Sequence, residues 1–237
     1  MPTFVHGKGA RVFAGSVNLT SYLNQASGAA TVDVAEASTF GDDDKVYVAG
    51  QADATLSGEG YFDLGASGAQ ETLNAALGAS AKSVFSLYHS GDAIGTRGAG
   101  FSADATAFEP TADLGDVVGF SFEAQSSVGL ERIVSHAAFG TRTIAGTLAS
   151  VDHAASSTFG GAGYLHVTSL SGSMAVRIEH SSDDVTFTTL VNFGTVTAVS
   201  GTRVAFSGTA ERYTRLVHTP ATTGTAAFVA GLARKTR

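Results

Sequence analysis

The feature that most constrains this chain is a long alternating stretch near its N-terminus, Thr31–Phe62. Small or apolar residues at even positions of its second half alternate with polar residues, which are Asp53, Thr55, Ser57, Glu59 and Tyr61. A period of two predicts a β-sheet with one packed face and one wet face. The run of about eleven residues is longer than the usual strand of five or six. We therefore expect a ribbon that projects beyond its own domain and whose free edge is covered by another subunit.

An acidic loop joins the two strands of this ribbon. The first strand is predicted at 31–37 and the return strand from Val46, with Asp42, Asp43 and Asp44 in the loop between them. Calcium loops place their ligands at alternate positions and need a further bidentate acid. Three adjacent carboxylates point in different directions, so we expect a solvated loop, or one that meets basic groups of a partner. The sequence predicts neither a metal nor another cofactor.

A helix and a second long hairpin follow. Residues 67–78 predict the helix, in which Ser67 and Gln70 form a capping box and Gly78 ends the apolar stripe. Strands are predicted at 84–88, 100–108 and 116–125, and the last two form the second hairpin. When the apolar faces of both hairpins are placed on the core, five acids share the opposite, wet face: Asp33, Asp53, Glu59, Asp104 and Glu123. Without a Lys or Arg beside them, these carboxylates predict a single-sign field that repels phosphate.

The second half of the chain has a different pattern. Six short strand-like runs, with Gly, Ser or Asp turns between them, recur roughly every ten to fourteen residues, a spacing typical of a β-sandwich. The predicted runs are 163–169, 174–180, 186–191, 203–207, 212–218 and 226–233. We therefore predict a mainly β protein with three parts: a β-sandwich or barrel domain at 1–127, a connector at 128–152, and an immunoglobulin-like or jelly-roll-like β-sandwich at 153–237.

Charge divides the chain in the same way. Residues 1–125 contain 15 acidic and 5 basic residues, a net −10, whereas residues 126–237 contain 6 and 9, a net +3. This asymmetry supports two domains that face different environments. An acidic half argues against tight nucleic-acid binding there, which requires Lys and Arg on phosphates. No apolar run approaches the length of about 18 residues that a membrane span needs, so we expect no membrane partner.

The sequence gives no sign of catalysis. Cysteine is absent, so a thiol nucleophile, a thiolate metal site and disulfides are excluded. The seven histidines are scattered, and none belongs to a metalloprotease motif. Gly7-Lys8-Gly9 lacks the spacing of a phosphate-binding loop, and no nucleophile elbow occurs. We expect this protein not to be an enzyme.

The segment 36–50, with its aromatic-Gly-Asp loop, followed by the Leu-Ser-Gly strand at 54–62 and then one helix, resembles the major tail tube proteins of long-tailed, non-contractile bacteriophages. The resemblance covers residues 1–127. It implies a β-sandwich or barrel with two hairpins per subunit, and rings, usually of six, that stack into a tube for phage DNA. It also implies that the five acids line the lumen and that a stacking loop contacts the adjacent ring, namely Phe40, Gly41, Asp42, Asp43, Asp44 and Lys45. Partners would be copies of this chain and other tail proteins, in a virion tail assembled in the host cytoplasm.

The C-terminal half resembles the extra β-sandwich that some of these tube proteins carry. Its role could be decoration of the tail exterior, stabilisation of the ring or weak binding to host-surface sugars. A second class of function stays open, a binding module such as a glycan-binding adhesin or a capsid-decoration protein. Sugar-binding modules often use aromatic platforms, but this chain has no Trp and only six Tyr. Ring symmetry, host and tail length are not determined by the sequence.

Overall fold

Antiparallel β-strands make up most of the protein, in a computed structural model that describes residues 6–63, 69–220 and 224–236. The first half of the described chain contains β1 (Arg11–Ala14), β2 (Val17–Asn18), β3 (Leu23–Glu36), β4 (Tyr47–Tyr61), α1 (Ala69–Ala76), β5 (Ser83–Tyr88), β6 (Arg97–Thr111) and β7 (Gly119–Ser126). The second half contains β8 (Glu131–Arg142), β9 (Gly146–Thr147), β10 (Val151–Asp152), β11 (Gly161–Ser171), β12 (Met174–Ser181), β13 (Thr188–Val196), β14 (Ser200–Phe206), β15 (Tyr213–Pro220) and β16 (Thr225–Arg234). Short 3₁₀ turns occur at Gly7–Gly9 and Leu19–Ser21. The predicted mainly β fold class is confirmed.

The strands form two sheets. The larger has the order β14-β11-β16-β8-β6-β5-β1-β2, and it branches at β6 into a second path, β6-β7-β4-β3. The smaller has the order β10-β15-β12-β13, with β9 beside β15. Every pair of strands is antiparallel.

The branch β6-β7-β4-β3 closes over the first hydrophobic core. Its inner face contributes Leu56 and Phe122, which pack with Phe85, Phe101 and Leu73 of α1. The alternation predicted for β4 is confirmed, because Ala54, Leu56, Gly58 and Gly60 are buried while Asp53, Thr55 and Glu59 are exposed. The helix covers Ala69–Ala76 within the predicted range, and Gly78 follows it with φ +66°. Ser67 of the predicted capping box lies outside the described residues.

The second core lies between the two sheets and forms a β-sandwich. Leu165, Phe228 and Leu232 of the larger sheet pack against Ile178 and Leu216 of the smaller one. All six strand runs predicted in this half correspond to strands, β11 to β16, with ends shifted by a few residues. The turn before β13 depends on Asp183, whose carboxylate accepts bonds from the Ser181 hydroxyl and the amides of Val185 and Thr186. These bonds lower the pKa of Asp183 to about 2.

The range 128–152, predicted as a connector, contains a long central strand. β8 pairs with β6 on one side and with β16 on the other, so the larger sheet runs without interruption from one half of the chain to the other. The alternation of Ile133, Ser135 and Ala137 indicates one strand in this range, but β8 is longer than that pattern predicts, and several of its buried residues are polar, including Glu131 and His136. The domain boundaries at 127 and 153 remain a prediction, but the two halves share this sheet.

Buried polar groups lie on the other face of the larger sheet, and those of His166 connect the two halves. The Glu131 carboxylate accepts two bonds from Arg203, at 2.7 and 2.8 Å, and one from the Tyr164 hydroxyl. Burial and the Glu131 charge raise the pKa of Tyr164. His166 of β11 contacts the first half directly, because Nδ1 lies 2.8 Å from the carbonyl oxygen of Gly15 and Nε2 lies 2.8 Å from the Ser86 hydroxyl. A carbonyl only accepts, so Nδ1 carries a hydrogen, and burial lowers the pKa of His166 to about 4, which keeps the imidazole neutral at pH 7.

Within the described residues, no helix has the length and apolar composition needed to cross a membrane.

Gly60 is predicted to be indispensable for packing β3 against β4. A Cβ atom at this position would lie 2.3 Å from the Tyr22 carbonyl oxygen, which also accepts the Tyr61 amide. We expect Gly60→Ala to lower the free energy of unfolding by about 2–3 kcal/mol, since backbone atoms would have to move. Gly41→Ala is the control, with its closest heavy atom 3.9 Å away. Urea unfolding of both variants measures the difference, and equal stabilities would contradict the packing argument.

Stability is predicted to fall below neutral pH. Burial lowers the pKa of His136 and of His166 to about 4, whereas an unfolded histidine titrates near 6.5. Between about pH 6.5 and pH 4 the unfolded chain therefore binds more protons, and each histidine costs about 1.4 kcal/mol per pH unit. Urea unfolding at pH 7.5, 6 and 5 measures this slope. We expect His166→Gln to be less stable at pH 7.5 but to show a shallower slope; an unchanged slope would contradict the prediction.

Candidate functional site

The wet face of the branch β6-β7-β4-β3 carries the candidate site, which we call the acidic face. The strand register aligns Glu59 of β4 with Ser121 of β7, and Ser57 with Glu123. It also aligns Ala107 of β6 with Glu123. Because cross-strand partners share a face, one surface collects residues from all four strands.

Four of the five predicted lumen residues are exposed on the acidic face, namely Asp33, Asp53, Glu59 and Glu123. Asp33 lies where the register of β3 and β4 shifts between Val32 and Val34, and it approaches Gly50. Asp104 is half-exposed and forms an ion pair with Lys82, which precedes β5. The four strands contribute no Lys or Arg to this face within the described residues, but Lys82 reaches it from outside and neutralises one acid.

Glu109 is a further member of the acidic face that the sequence analysis missed. The predicted strand 100–108 ends one residue before Glu109, whereas β6 continues to Thr111 and Glu109 pairs with Ser121. Proline is tolerated there because that side of the strand has no partner. Glu59, Glu109 and Glu123 line one shallow hollow of about 270 Å³. Its other polar lining comes from Gln25, Ser57 and Ser121, so no positive group balances the three carboxylates.

Both lateral edges of this four-stranded branch are free. Among the described strands β3 pairs only with β4, so the outer side of all its 14 residues has no partner. At the opposite edge, β6 pairs with β5 as far as Ala103 and makes one further bridge from Ala105 to Leu77. Residues 106–111 of β6 therefore also have a free outer side. Unpaired edges of this length are sites at which another chain can add a strand.

The β3–β4 ribbon projects as predicted. β4 meets β7 only from Thr55 onward, so the seven residues Tyr47–Asp53 pair with β3 alone, and all are exposed. At about 3.4 Å per residue the ribbon extends about 24 Å. The side of the ribbon that continues the core face carries Val32, Val34 and Tyr47, which are 52%, 64% and 55% exposed. Apolar groups arranged in this way are typical of an interface.

The tip of the ribbon is the predicted stacking loop. The Asp42 carboxylate accepts the Thr39 amide at 2.7 Å and the Thr39 hydroxyl at 3.0 Å, and these bonds lower the pKa of Asp42. Lys45 forms an ion pair with Glu36 at 2.9 Å. Asp43 and Asp44 are exposed, and the Phe40 ring is fully exposed at the end of the loop. Local hydrogen bonds thus shape the loop and present one aromatic ring with two carboxylates.

The second hairpin is built differently from the first. β7 pairs with β6 on one side and β4 on the other along its whole length, so the β6–β7 hairpin lies within the sheet and does not project as a separate ribbon. Its turn carries the exposed side chains of Leu114 and Val117. Since Gly119 of β7 pairs with Tyr61 of β4, this turn lies at the opposite end of the sheet from the stacking loop.

The arrangement offers a single-sign electrostatic surface and edges available for strand pairing. In the described part of the chain, no three His, Asp or Glu side chains converge in a way that could hold a metal ion. The carboxylates of the acidic face are exposed and lie beside hydroxyls and amides, with one bond from Gln125 to Asp53. Such a surface can repel a polyanion and can pair at its edges.

No protein-family model and no curated protein matches this chain. Solved structures with a similar arrangement include a chain from the virion of a native gene transfer agent particle, with a TM-score of 0.43 and 10% identity, over 54% of this chain and 97% of that one. Another is the Dit (gp 19.1) protein of SPP1, from the hub adsorption apparatus of phages that infect Gram-positive hosts, with a TM-score of 0.40 and 9% identity, over 95% of this chain and 99% of that one. Likeness at this level carries no argument about function.

Proposed function

We propose that this protein is a structural, non-catalytic virion component that self-assembles into the stacked rings of a bacteriophage tail tube. The observation that carries the proposal is that one four-stranded sheet has an acidic face and two free edges. An acidic face would weaken the binding of nucleic acid, but it suits a wall along which DNA must slide without binding.

Ring closure follows from the edges. The outer edge of β3 in one subunit and residues 106–111 of β6 in the next can pair, a head-to-tail contact that closes by rotation. Closure removes both exposed edges at once, as in any barrel. With six subunits, each contributing four strands, strands about 4.8 Å apart and tilted by about 40° form a wall about 45–50 Å across between backbones. That bore leaves room for side chains and a DNA duplex.

The projecting β3–β4 ribbon supplies the contacts between stacked rings. Its apolar side, with Val32, Val34 and Tyr47, requires a cover that the subunit itself does not provide. In an assembled tube a neighbouring copy supplies that cover, and the exposed Phe40 and the carboxylates of Asp43 and Asp44 meet the adjacent ring. Copies of this chain are thus the main partner, with other tail proteins at the tube ends. The site of action is the virion tail, after assembly in the host cytoplasm.

Assembly is predicted to depend on the apolar side of the ribbon. Val34→Lys places a charge where a neighbour must pack, and we expect it to raise the protein concentration needed for tube formation by about tenfold or more. Stability of the single subunit should change by less than about 0.5 kcal/mol, because Val34 is exposed in the subunit. Negative-stain microscopy and sedimentation over a concentration series measure assembly.

Val185→Lys is the matched control, since Val185 is 80% exposed on a turn of the other half of the chain. We expect this variant to assemble like the parent protein. If Val34→Lys forms tubes at the same concentration as the control, the ribbon is not an assembly surface.

DNA passage is predicted to depend on the sign of the acidic face. In the double variant Glu59→Lys and Glu123→Lys, tubes should still form, because both side chains are exposed. We expect genome ejection from such virions to slow by about tenfold at low salt and to recover as salt rises, since each Lys–phosphate contact is salt-sensitive. The isosteric variant Glu59→Gln with Glu123→Gln removes charge without adding attraction and should slow ejection much less. Equal ejection rates in all three virions would contradict a lumenal position.

A further inference from the structure

The positive charge of the second half of the chain is concentrated at one place. Four of its arginines are neutralised in ion pairs: Arg203 with Glu131, Arg212 with Asp152, and Arg177 and Arg215 with Glu179. Four basic side chains of this half form no ion pair within the described residues: Arg142, which lies over the Phe228 ring, and the three residues Arg132, Arg234 and Lys235. These three cations lie together, around two adjoining hollows that share Arg132 and Arg234.

The lining combines polar side chains with one aromatic ring and an apolar floor. The first hollow has a volume of about 390 Å³, and we call it the cationic hollow, defined by Arg132, His153, Ser156, Thr158, Phe159 and Arg234. Val134 and Leu232 form its apolar floor. Phe159 is 56% exposed although it is a large apolar side chain. The second hollow adds Lys235 and also Glu131, whose carboxylate is already occupied by Arg203 and Tyr164.

The loop that forms one wall of the cationic hollow is held in place. Ser157 and Ala210 exchange two backbone bonds, at 2.9 and 2.8 Å, and the His153 amide donates to the Arg212 carbonyl oxygen. The Gly160 amide donates to Gly208 at its other end. A site fixed before binding loses little conformational entropy when a ligand enters.

Within the described residues, no ion pair neutralises the charge of Arg234. One of its terminal nitrogens donates to the carbonyl oxygens of Ala155 and Ala210, at 2.6 and 3.2 Å, but its buried Nε has no partner among the described residues. Burial lowers the pKa of Arg234, although the charge of Glu211 opposes this. Burial and the Arg234 charge together lower the pKa of His153 to about 3. Among the described residues no carboxylate lines the cationic hollow, which is therefore positive.

We propose that the cationic hollow binds an anionic saccharide unit, a sugar that carries a carboxylate or a phosphate group. Guanidinium groups bind both anions through charge-assisted hydrogen bonds. The hydroxyls of Ser156 and Thr158 can bond sugar hydroxyls, and the Phe159 ring can pack against the apolar face of a sugar ring. A volume of about 390 Å³ is at the small end of ligand sites and suits one sugar unit. This inference does not depend on ring formation.

Binding can be tested with four small probes on the full-length protein: glucuronate, glucose 1-phosphate, glucose and inorganic phosphate. Amide chemical shifts of the ¹⁵N-labelled protein report the position and the affinity. We expect the two anionic sugars to shift resonances of residues 153–160 with dissociation constants on the order of 1 mM. Glucose and inorganic phosphate should each bind at least about fivefold more weakly, because each offers only part of the contacts.

Variants separate the two parts of the proposed site. Arg132→Ala removes an exposed cation and should weaken the anionic sugars about tenfold, whereas Lys8→Ala removes an unpaired exposed cation elsewhere and should change nothing. Phe159→Ala should weaken glucose 1-phosphate but not inorganic phosphate. Thermal unfolding confirms that each variant is folded. The proposal is overturned if no probe shifts residues 153–160, if Arg132→Ala binds like Lys8→Ala, or if inorganic phosphate binds as well as glucose 1-phosphate.

Discussion

Backbone pairing along β6 is the constraint on which the rest of the molecule depends. Its first half pairs with β5 and β8 and joins the N-terminal core to the C-terminal sandwich, whereas its second half pairs with β7 and supports the acidic face. The first and second halves of β6 differ in the residues that they contain. Gly98 and Gly100 let neighbours approach closely, since a Cβ at Gly100 would lie 2.7 Å from the Tyr164 ring. Beyond the register shift at Ala105 the strand leaves β5 and gains a free edge.

The same four strands, β3, β4, β6 and β7, provide both the free edges and the acidic face. A four-stranded sheet that ended in two long open edges would be a hazard for a monomer, because identical edges invite uncontrolled pairing. The shift in register between Val32 and Val34 and Pro110 near the opposite edge both restrict how a partner can add. The carboxylates then discourage face-to-face contact between subunits. An assembly in which edges pair and like-charged faces surround a bore satisfies both conditions.

The two halves of the chain place their charge differently. In the N-terminal half, Asp33, Asp53, Glu59, Glu109 and Glu123 are exposed on the acidic face and form no ion pair within the described residues, whereas Asp104 is paired with Lys82 from outside the four strands. In the C-terminal half four arginines are paired with a carboxylate, and three of the four unpaired cations of the described residues lie around the cationic hollow and the hollow beside it. The negative acidic face and the positive cationic hollow are therefore separated within one continuous sheet. The shared β8 fixes their relative positions.

The sequence alone determined those parts of the fold that follow from a local pattern of residues. The alternation of β4 places Leu56 inside and Glu59 outside whatever the partner strand, and the Asp183 turn forms from its own neighbours. The sequence also identified the six strands β11 to β16 of the C-terminal sandwich. Only the tertiary structure decided which strands meet, because pairing partners such as Glu59 and Ser121 are far apart in the chain.

The same reason explains what the sequence missed. β8 is buried with polar side chains whose partners, such as Arg203 for Glu131 and Thr214 for His136, come from distant strands, so its pattern resembled a loop. Glu109 lies on the acidic face because β6 continues through Pro110, beyond the predicted strand 100–108. The cationic hollow collects Arg132, Phe159 and Arg234 from three separate segments. Side-chain periodicity specifies a face of one strand, but only the fold specifies which faces come together.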